Sequence, residues 1–332
     1  MMKQSDLAPY PYHRYKYPIS ENGILNFTQV LQESLTEALG GNTSIGEIST
    51  FGQPKGIEDE TTKFIIKDQS GRKIAVAVCS SPASPKIVAR GVESSRLAKQ
   101  RLGSGLGDHI LQPLCEGEWG GLSYAALPYC QPLSNSRLLW YSQRFLLRPS
   151  VFHWLTCIAE ATATKADSDE IQQNFLIPLK HLVELDGITD PVRAGAYDTL
   201  ERLAKGTWSP YHVLMHSDLW KGNVLIAPSS VNNIGNRPWQ DRFVIIDWPG
   251  GLIKGYGIYD LIRLAQSLKL GQRQLRKQVN AHCQILNGEF TDARCHLLAA
   301  LSYRGMHLEK FPLARFAKMA DSCLKTLEEI GG

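Results

Sequence analysis

Three oxygen-bearing side chains at set intervals carry the chemistry of this sequence. Asp218 and Asn223 lie five residues apart in His216-Ser217-Asp218-Leu219-Trp220-Lys221-Gly222-Asn223, and Asp247 closes the apolar run Phe243-Val244-Ile245-Ile246. Phosphoryl transfer needs a carboxylate that orients an attacking hydroxyl and takes its proton. It also needs oxygen ligands nearby to hold magnesium against a triphosphate. Asp218 suits the first task, and Asn223 and Asp247 suit the second. The letters follow the pattern H-x-D-L-x-x-x-N, in which His216 is grouped with Asp218 as a catalytic residue. Four fixed letters arise by accident in on the order of one chain in a thousand.

The surrounding elements narrow the reading. An apolar strand, Tyr211 to Met215, delivers the loop. Val224-Leu225-Ile226 follows at once, then a polar, turn-rich stretch from Ala227 to Arg242, then the run ending at Asp247. A strand, loop, strand, hairpin, strand order brings the three side chains to one end of a small sheet.

On these residues the chain resembles the aminoglycoside phosphotransferase and choline kinase superfamily, a two-lobed relative of the protein kinases. Tyr259-Asp260-Leu261 is similar to the family's "YDL" segment, and Asp-Leu-Trp-x-Gly-Asn is similar to the loop of fructosamine kinase-like proteins. The specific match covers Tyr211 to Leu261. The resemblance implies an α+β, protein-kinase-like fold with a small β-rich N-terminal lobe and a larger, mainly helical C-terminal lobe. It implies ATP and Mg2+ as cofactors, Asp218 as catalytic base, Asn223 and Asp247 as metal ligands, and Asp260 as a carboxylate supporting the loop. Ser217 stands where the family mostly has glycine.

The expected layout is an arm over residues 1–19, a nucleotide-binding lobe over 20–128 and a catalytic and acceptor-binding lobe over 129–332. Asn26 to Leu39 has a helical period in Phe27, Val30, Leu31, Leu35 and Leu39. Strands are expected over 45–51, 63–67 and 73–78, the last two joined by a turn at Asp68 to Arg72. Gly52-Gln53-Pro54-Lys55-Gly56 occupies the place of a phosphate-covering loop, although it is neither G-x-G-x-x-G nor a P-loop.

Kinases carry a lysine on the third strand that holds the α- and β-phosphates and pairs with a glutamate of the next helix. Here Ala75-Val76-Ala77-Val78 offers none, while Glu93 lies in the following helix-like run, Val88 to Leu102. Lys86, Lys67 or Lys55 is expected to serve instead, a lysine being a flexible point charge. The alternative is a nucleotide-binding pseudokinase. Leu122 to Cys130 reads as a strand running into a hinge, with Tyr129 and Cys130 facing adenine, since Pro128 has no N–H to donate.

From Leu138 onward the pattern is helical apart from the catalytic strands, ending in four helices after Asp260. Residues 271–332 hold nine Lys or Arg and six Asp or Glu, which argues against a polycationic acceptor and for a neutral or anionic hydroxyl compound such as a sugar. Trp220 and Trp248 flank the carboxylates and could stack on such a ring or pack in the core. A protein kinase is disfavoured because no Ala-Pro-Glu-like segment follows Asp247.

Composition fits a globular protein of about two domains: 332 residues, 43% hydrophobic and 20% charged. A net charge of +4 without a basic run gives no nucleic-acid signature. Seven scattered cysteines with no C-x-x-C pair read as reduced thiols in a cytoplasmic protein. No apolar run is long enough to span a membrane, so no membrane partner is expected. The tyrosine-rich start of the chain carries no function in this reading.

Overall fold

The computed structural model describes residues 21–40, 45–52, 60–231 and 234–331. The chain forms two compact units: the described residues up to Ala89 with Pro113–Pro128, and Arg90–Gln112 with Tyr129 onward. The stretch 90–112, assigned from the sequence to the first lobe, therefore goes with the second unit. The expected arm over residues 1–19 lies outside the described residues.

The first unit begins with helix α1 (Glu21–Ala38) and five strands, β1 (Ile45–Thr50), β2 (Thr62–Asp68), β3 (Lys73–Cys79), β4 (Cys115–Trp119) and β5 (Leu122–Pro128). They form an antiparallel sheet in the order β1-β2-β3-β5-β4. Phe27, Leu31 and Leu35 recur every four residues and are fully buried, so one stripe of α1 meets one sheet face. That face is Phe64, Ile66, Ala75, Ala77, Cys79, Tyr124 and Ala126. Alternation along the strands sends Val76 and Val78 to the opposite face. The β2–β3 turn is set by Asp68, whose Oδ1 accepts the N–H groups of Ser70 at 2.9 Å and Arg72 at 3.0 Å, and by Gly71 at φ +80°.

Helix α2 (Ile87–Leu102) leads into the second unit, which opens after β5 with the short strand β6 (Gln131–Pro132). Helices follow: α3 (Arg137–Thr162), α4 (Ser168–Glu170), α5 (Ile177–Glu184) and α6 (Asp190–Ala204), with β7 (Thr164–Lys165) between α3 and α4. Asp167 and Glu170 cap each other's backbone at the start of α4, and Ile171–Leu176 winds as a π-helix before α5. The segment that carries the motif contains β8 (Tyr211–Met215), β9 (Val224–Ile226), β10 (Phe243–Ile245) and β11 (Leu252–Tyr256). Four helices close the chain: α7 (Tyr259–Leu268), α8 (Gln272–Ile285), α9 (Asp292–Met306) and α10 (Leu313–Glu328).

The single small sheet expected around the motif is two three-stranded sheets among the described residues, β10-β9-β6 and β11-β8-β7. β11 was missed because glycines punctuate it. Gly255 lies where an added Cβ would come within 2.3 Å of Met215 Cβ on the paired strand, so the two backbones meet only through glycine.

Candidate active site

β8 ends in buried Met215, and the chain turns at once into the motif. Ser217 sits at φ 72° and Asp247 at φ 70°, so both ends of the site rest on left-handed backbone. Glycine adopts that conformation without a Cβ penalty, which is the physical reason a glycine suits the position that Ser217 fills. Two supports hold the Ser217 turn. Asp260 Oδ2 accepts the N–H of His216 at 2.6 Å, and Arg304 Nη1 donates to the carbonyl of Ser217 at 2.5 Å. Gly222 leaves room for the Trp220 indole, which an added Cβ would meet at 2.4 Å.

The imidazole of His216 is 3% exposed. Its Nε2 donates to the carbonyl of Ile246 at 2.9 Å, and its Nδ1 accepts the N–H of Asp218 at 3.3 Å. Burial pulls its pKa down to about 4, so the ring is neutral at physiological pH. His216 was grouped with Asp218 as catalytic. Enclosed in this way, it ties the loop to the strand end before Asp247. Trp248 is also packed, its ring 4.5 Å from that of His216, whereas Trp220 is partly exposed. Of the two tryptophans, only Trp220 keeps a surface for a ligand.

The three oxygen-bearing residues are stitched together. Asn223 Nδ2 donates to the carbonyl of Asp218 at 2.9 Å, and the N–H of Ile246 donates to the carbonyl of Asn223 at 3.1 Å. The antiparallel register of β9 and β10, with Val224 opposite Ile245, puts Asn223 beside the residue preceding Asp247. Burial raises the pKa of Asp218, Arg304 and Arg263 oppose that shift, and the charge of Asp247 adds to it, which marks the two carboxylates as neighbours. With 51% of the Asp218 side chain in solvent, these effects are screened. Asp260, fully enclosed, is pushed up to about 6 by desolvation.

These residues fit a hard divalent cation. Asn223 commits its amide nitrogen to Asp218, leaving Oδ1 as the ligand atom, and Asp247 adds a carboxylate. Among the described residues no three His, Cys, Asp or Glu side chains form a cage of their own. Magnesium matches such a sparse set, since it is held by one or two protein ligands, water and substrate phosphates.

The other expected site residues differ in exposure and in partners. Gly52 is exposed at φ +91°, and Lys55 lies outside the described residues. Lys86 pairs with Glu118, and Lys67 pairs with Glu47 at 2.7 Å. Glu93 is exposed on α2. Tyr129 is half-buried and Cys130 is buried, its thiol pushed up to about 12. Three residues escaped the sequence reading. Arg263 reaches within 4.0 Å of Asp218 Oδ1, and its i+3 spacing from Asp260 on α7 was the available signal. Arg304 comes from α9 with no local signal. Lys63 stands directly across from Val78 on the sheet face opposite α1.

This is a protein-kinase-like fold, the one shared by aminoglycoside phosphotransferases and choline kinases. A ligand-free thermostable mutant of the aminoglycoside phosphotransferase APH(4)-Ia matches with a TM-score of 0.53 at 17% identity, over 91% of this chain and 99% of its own. The choline kinase LicA from Streptococcus pneumoniae matches at 0.52 and 12%, over 92% and 99%. A protein assigned as a fructosamine-3-kinase, from Haemophilus somnus, matches at 0.50 and 14%, over 90% and 96%. No family model matches the chain, and no curated protein matches it in sequence.

Proposed function

We propose that this protein is an ATP-dependent phosphotransferase acting on a hydroxyl group of a small molecule. The observation that carries the reading is the stitched set Asp218, Asn223 and Asp247 at the end of β8, β9 and β10. Asp218 orients the acceptor hydroxyl and takes its proton as the hydroxyl oxygen attacks the γ-phosphorus of ATP, while the bond from that phosphorus to the β,γ-bridging oxygen breaks and ADP leaves. Asn223 and Asp247 would hold Mg2+, which would supply the positive charge that the transferring phosphoryl group needs. Arg304 and Asp260 fix the loop through Ser217 and His216. The fold's relatives named as aminoglycoside, choline and fructosamine kinases support a small-molecule acceptor.

Lys63 is the cation we assign in place of the third-strand lysine, because it is exposed on the sheet face that Val76 and Val78 share and holds no ion pair among the described residues. Tyr129 and Cys130 remain the proposed hinge residues. Gly52 and Lys55 remain the proposed phosphate lid, and Glu93 the helix glutamate. Lys86, with its partner Glu118, is the weaker cation candidate.

The absence of a lysine on β3 keeps a second reading, a nucleotide-binding pseudokinase. Incubation with Mg-ATP and a panel of sugars, amino sugars, amino alcohols and hydroxy acids separates the two. Phosphorylated product with an acceptor supports the enzyme. A thermal shift with Mg-ATP and no product supports the pseudokinase.

A further inference from the structure

The first half of α3 is turned outward with the wrong chemistry for water. Leu138, Leu139, Tyr141, Phe145 and Leu146 are 83%, 58%, 62%, 67% and 52% exposed. At about 100° per residue they share one arc of roughly 160°, and Leu147, on the opposite side, is fully buried. Isolated exposed leucines are ordinary, but five large apolar side chains on two and a half turns make a contiguous patch, which marks an interaction surface.

The charges on α3 up to Ala159 and on the helices that follow Asp260 and pack on it have one sign, although Asp241 lies in the short turn 239–241 that also meets α3. Residues 119–159 contain no Asp or Glu and three arginines, and residues 261–288 contain none and five Lys or Arg. These stretches meet in space, because α3 packs on α7 and α8, and Arg148 donates to the carbonyls of Leu268 and Lys269. Arg137 and Arg144 lie along one edge of the apolar arc, and the Lys221 ammonium lies 4.7 Å from the ring of Trp140, which packs toward the core on the other side of the helix. Lys269, Arg273, Arg276 and Lys277 extend the basic surface and are exposed.

We infer that this face docks on an anionic lipid surface, with Leu138, Leu139, Phe145 and Leu146 entering the acyl boundary and the cations meeting the headgroups. An outward apolar arc beside basic residues is the pattern of helices that lie in a membrane interface. Tyr141 is the amphipathic ring that suits headgroup depth. Charge selects lipid over the other occupants. A second copy docked by two-fold symmetry brings the same eight cations against themselves. Residues 1–20 are basic as well, with three Lys or Arg and one Asp. No helix of the described residues is long and apolar enough to cross a membrane, so the attachment is peripheral.

The test is co-sedimentation of the full chain with vesicles of phosphatidylcholine alone and of phosphatidylcholine with phosphatidylglycerol. The measurement is made at low salt and at about 0.3 M salt. The expected result is binding to the anionic vesicles that weakens with salt and is lost in L138E/F145E. In R137Q/R144Q it weakens about fivefold per arginine. Melting curves check folding, and the arginine pair carries the test where the apolar pair fails to fold. The inference is overturned by absent binding to anionic vesicles or by equal binding of wild type and variants. A dimer in sedimentation velocity that L138E/F145E splits overturns it too.

Discussion

His216 and Ile246 are joined through Nε2 and a backbone carbonyl at 2.9 Å, so the residue two before Asp218 is fastened to the residue before Asp247. The ring spans the loop and the strand end and fixes one carboxylate against the other. Replacing it with alanine leaves the Ile246 carbonyl and the Asp218 N–H without partners in a buried place. His216→Ala is expected to cost about 2–4 kcal/mol of stability and to lower turnover through lost positioning. Urea denaturation measures the first effect, and an unchanged midpoint would show that the ring holds nothing.

The tasks proposed for Asp218 and Asp247 differ, and their variants separate them. Asp218→Ala is expected to reduce turnover by about 10²–10⁴-fold, the usual contribution of a proton-accepting side chain, while Mg-ATP still raises the melting temperature. Asp247→Ala removes a proposed metal ligand, so the melting shift given by Mg-ATP over ATP alone is expected to shrink. Full turnover in the first variant, or an undiminished magnesium effect in the second, removes these roles.

The motif was legible in the sequence because its parts are local: five residues separate Asp218 from Asn223, and strands mark both ends. Helix α1 and the β2–β3 turn were legible for the same reason, one through a repeating apolar stripe and the other through Asp68 and Gly71. What escaped comes from afar or from backbone contact. Arg304 reaches Ser217 from 87 residues away. β11 hides behind the glycines that its close pairing with β8 demands. The replacement cation was sought at Lys86, Lys55 and, on the neighbouring strand, Lys67; the proposed Lys63 lies on that same strand and is singled out only by its register opposite Val78.

Ser217 at φ 72° holds a conformation that costs an L-residue and not glycine. Asp260 and Arg304 hold it by backbone bonds that a glycine would keep. Ser217→Gly is therefore expected to stabilise the protein by about 0.5–1 kcal/mol. The melting temperature should rise by about 1–4 °C for a domain of this size. A fall in melting temperature would mean that the hydroxyl outweighs the strain.

Buried histidines set how stability follows pH. His109 donates from Nδ1 to the Phe243 carbonyl at 2.8 Å and accepts from Arg237 at Nε2, so a second proton has no place and a positive charge already stands beside it. His296 is enclosed and accepts the Trp208 N–H at 3.3 Å. Burial pulls both down to about 4, and His216 behaves alike. The unfolded chain binds these protons near pH 6.5, so each histidine's contribution is full above that pH and is lost as pH falls toward 4, up to about 3 kcal/mol apiece. Asp260, raised to about 6, and Asp218, raised by burial, work the other way, since their desolvation cost is relieved on acidification, but burial lowers His212 and His282 as well as these three. Denaturation midpoints are expected to fall steadily from pH 7 to pH 4.5. In His296→Gln, which still accepts from Trp208 and cannot be protonated in this range, the fall should be shallower. Parallel curves for variant and wild type would exclude His296 as a contributor.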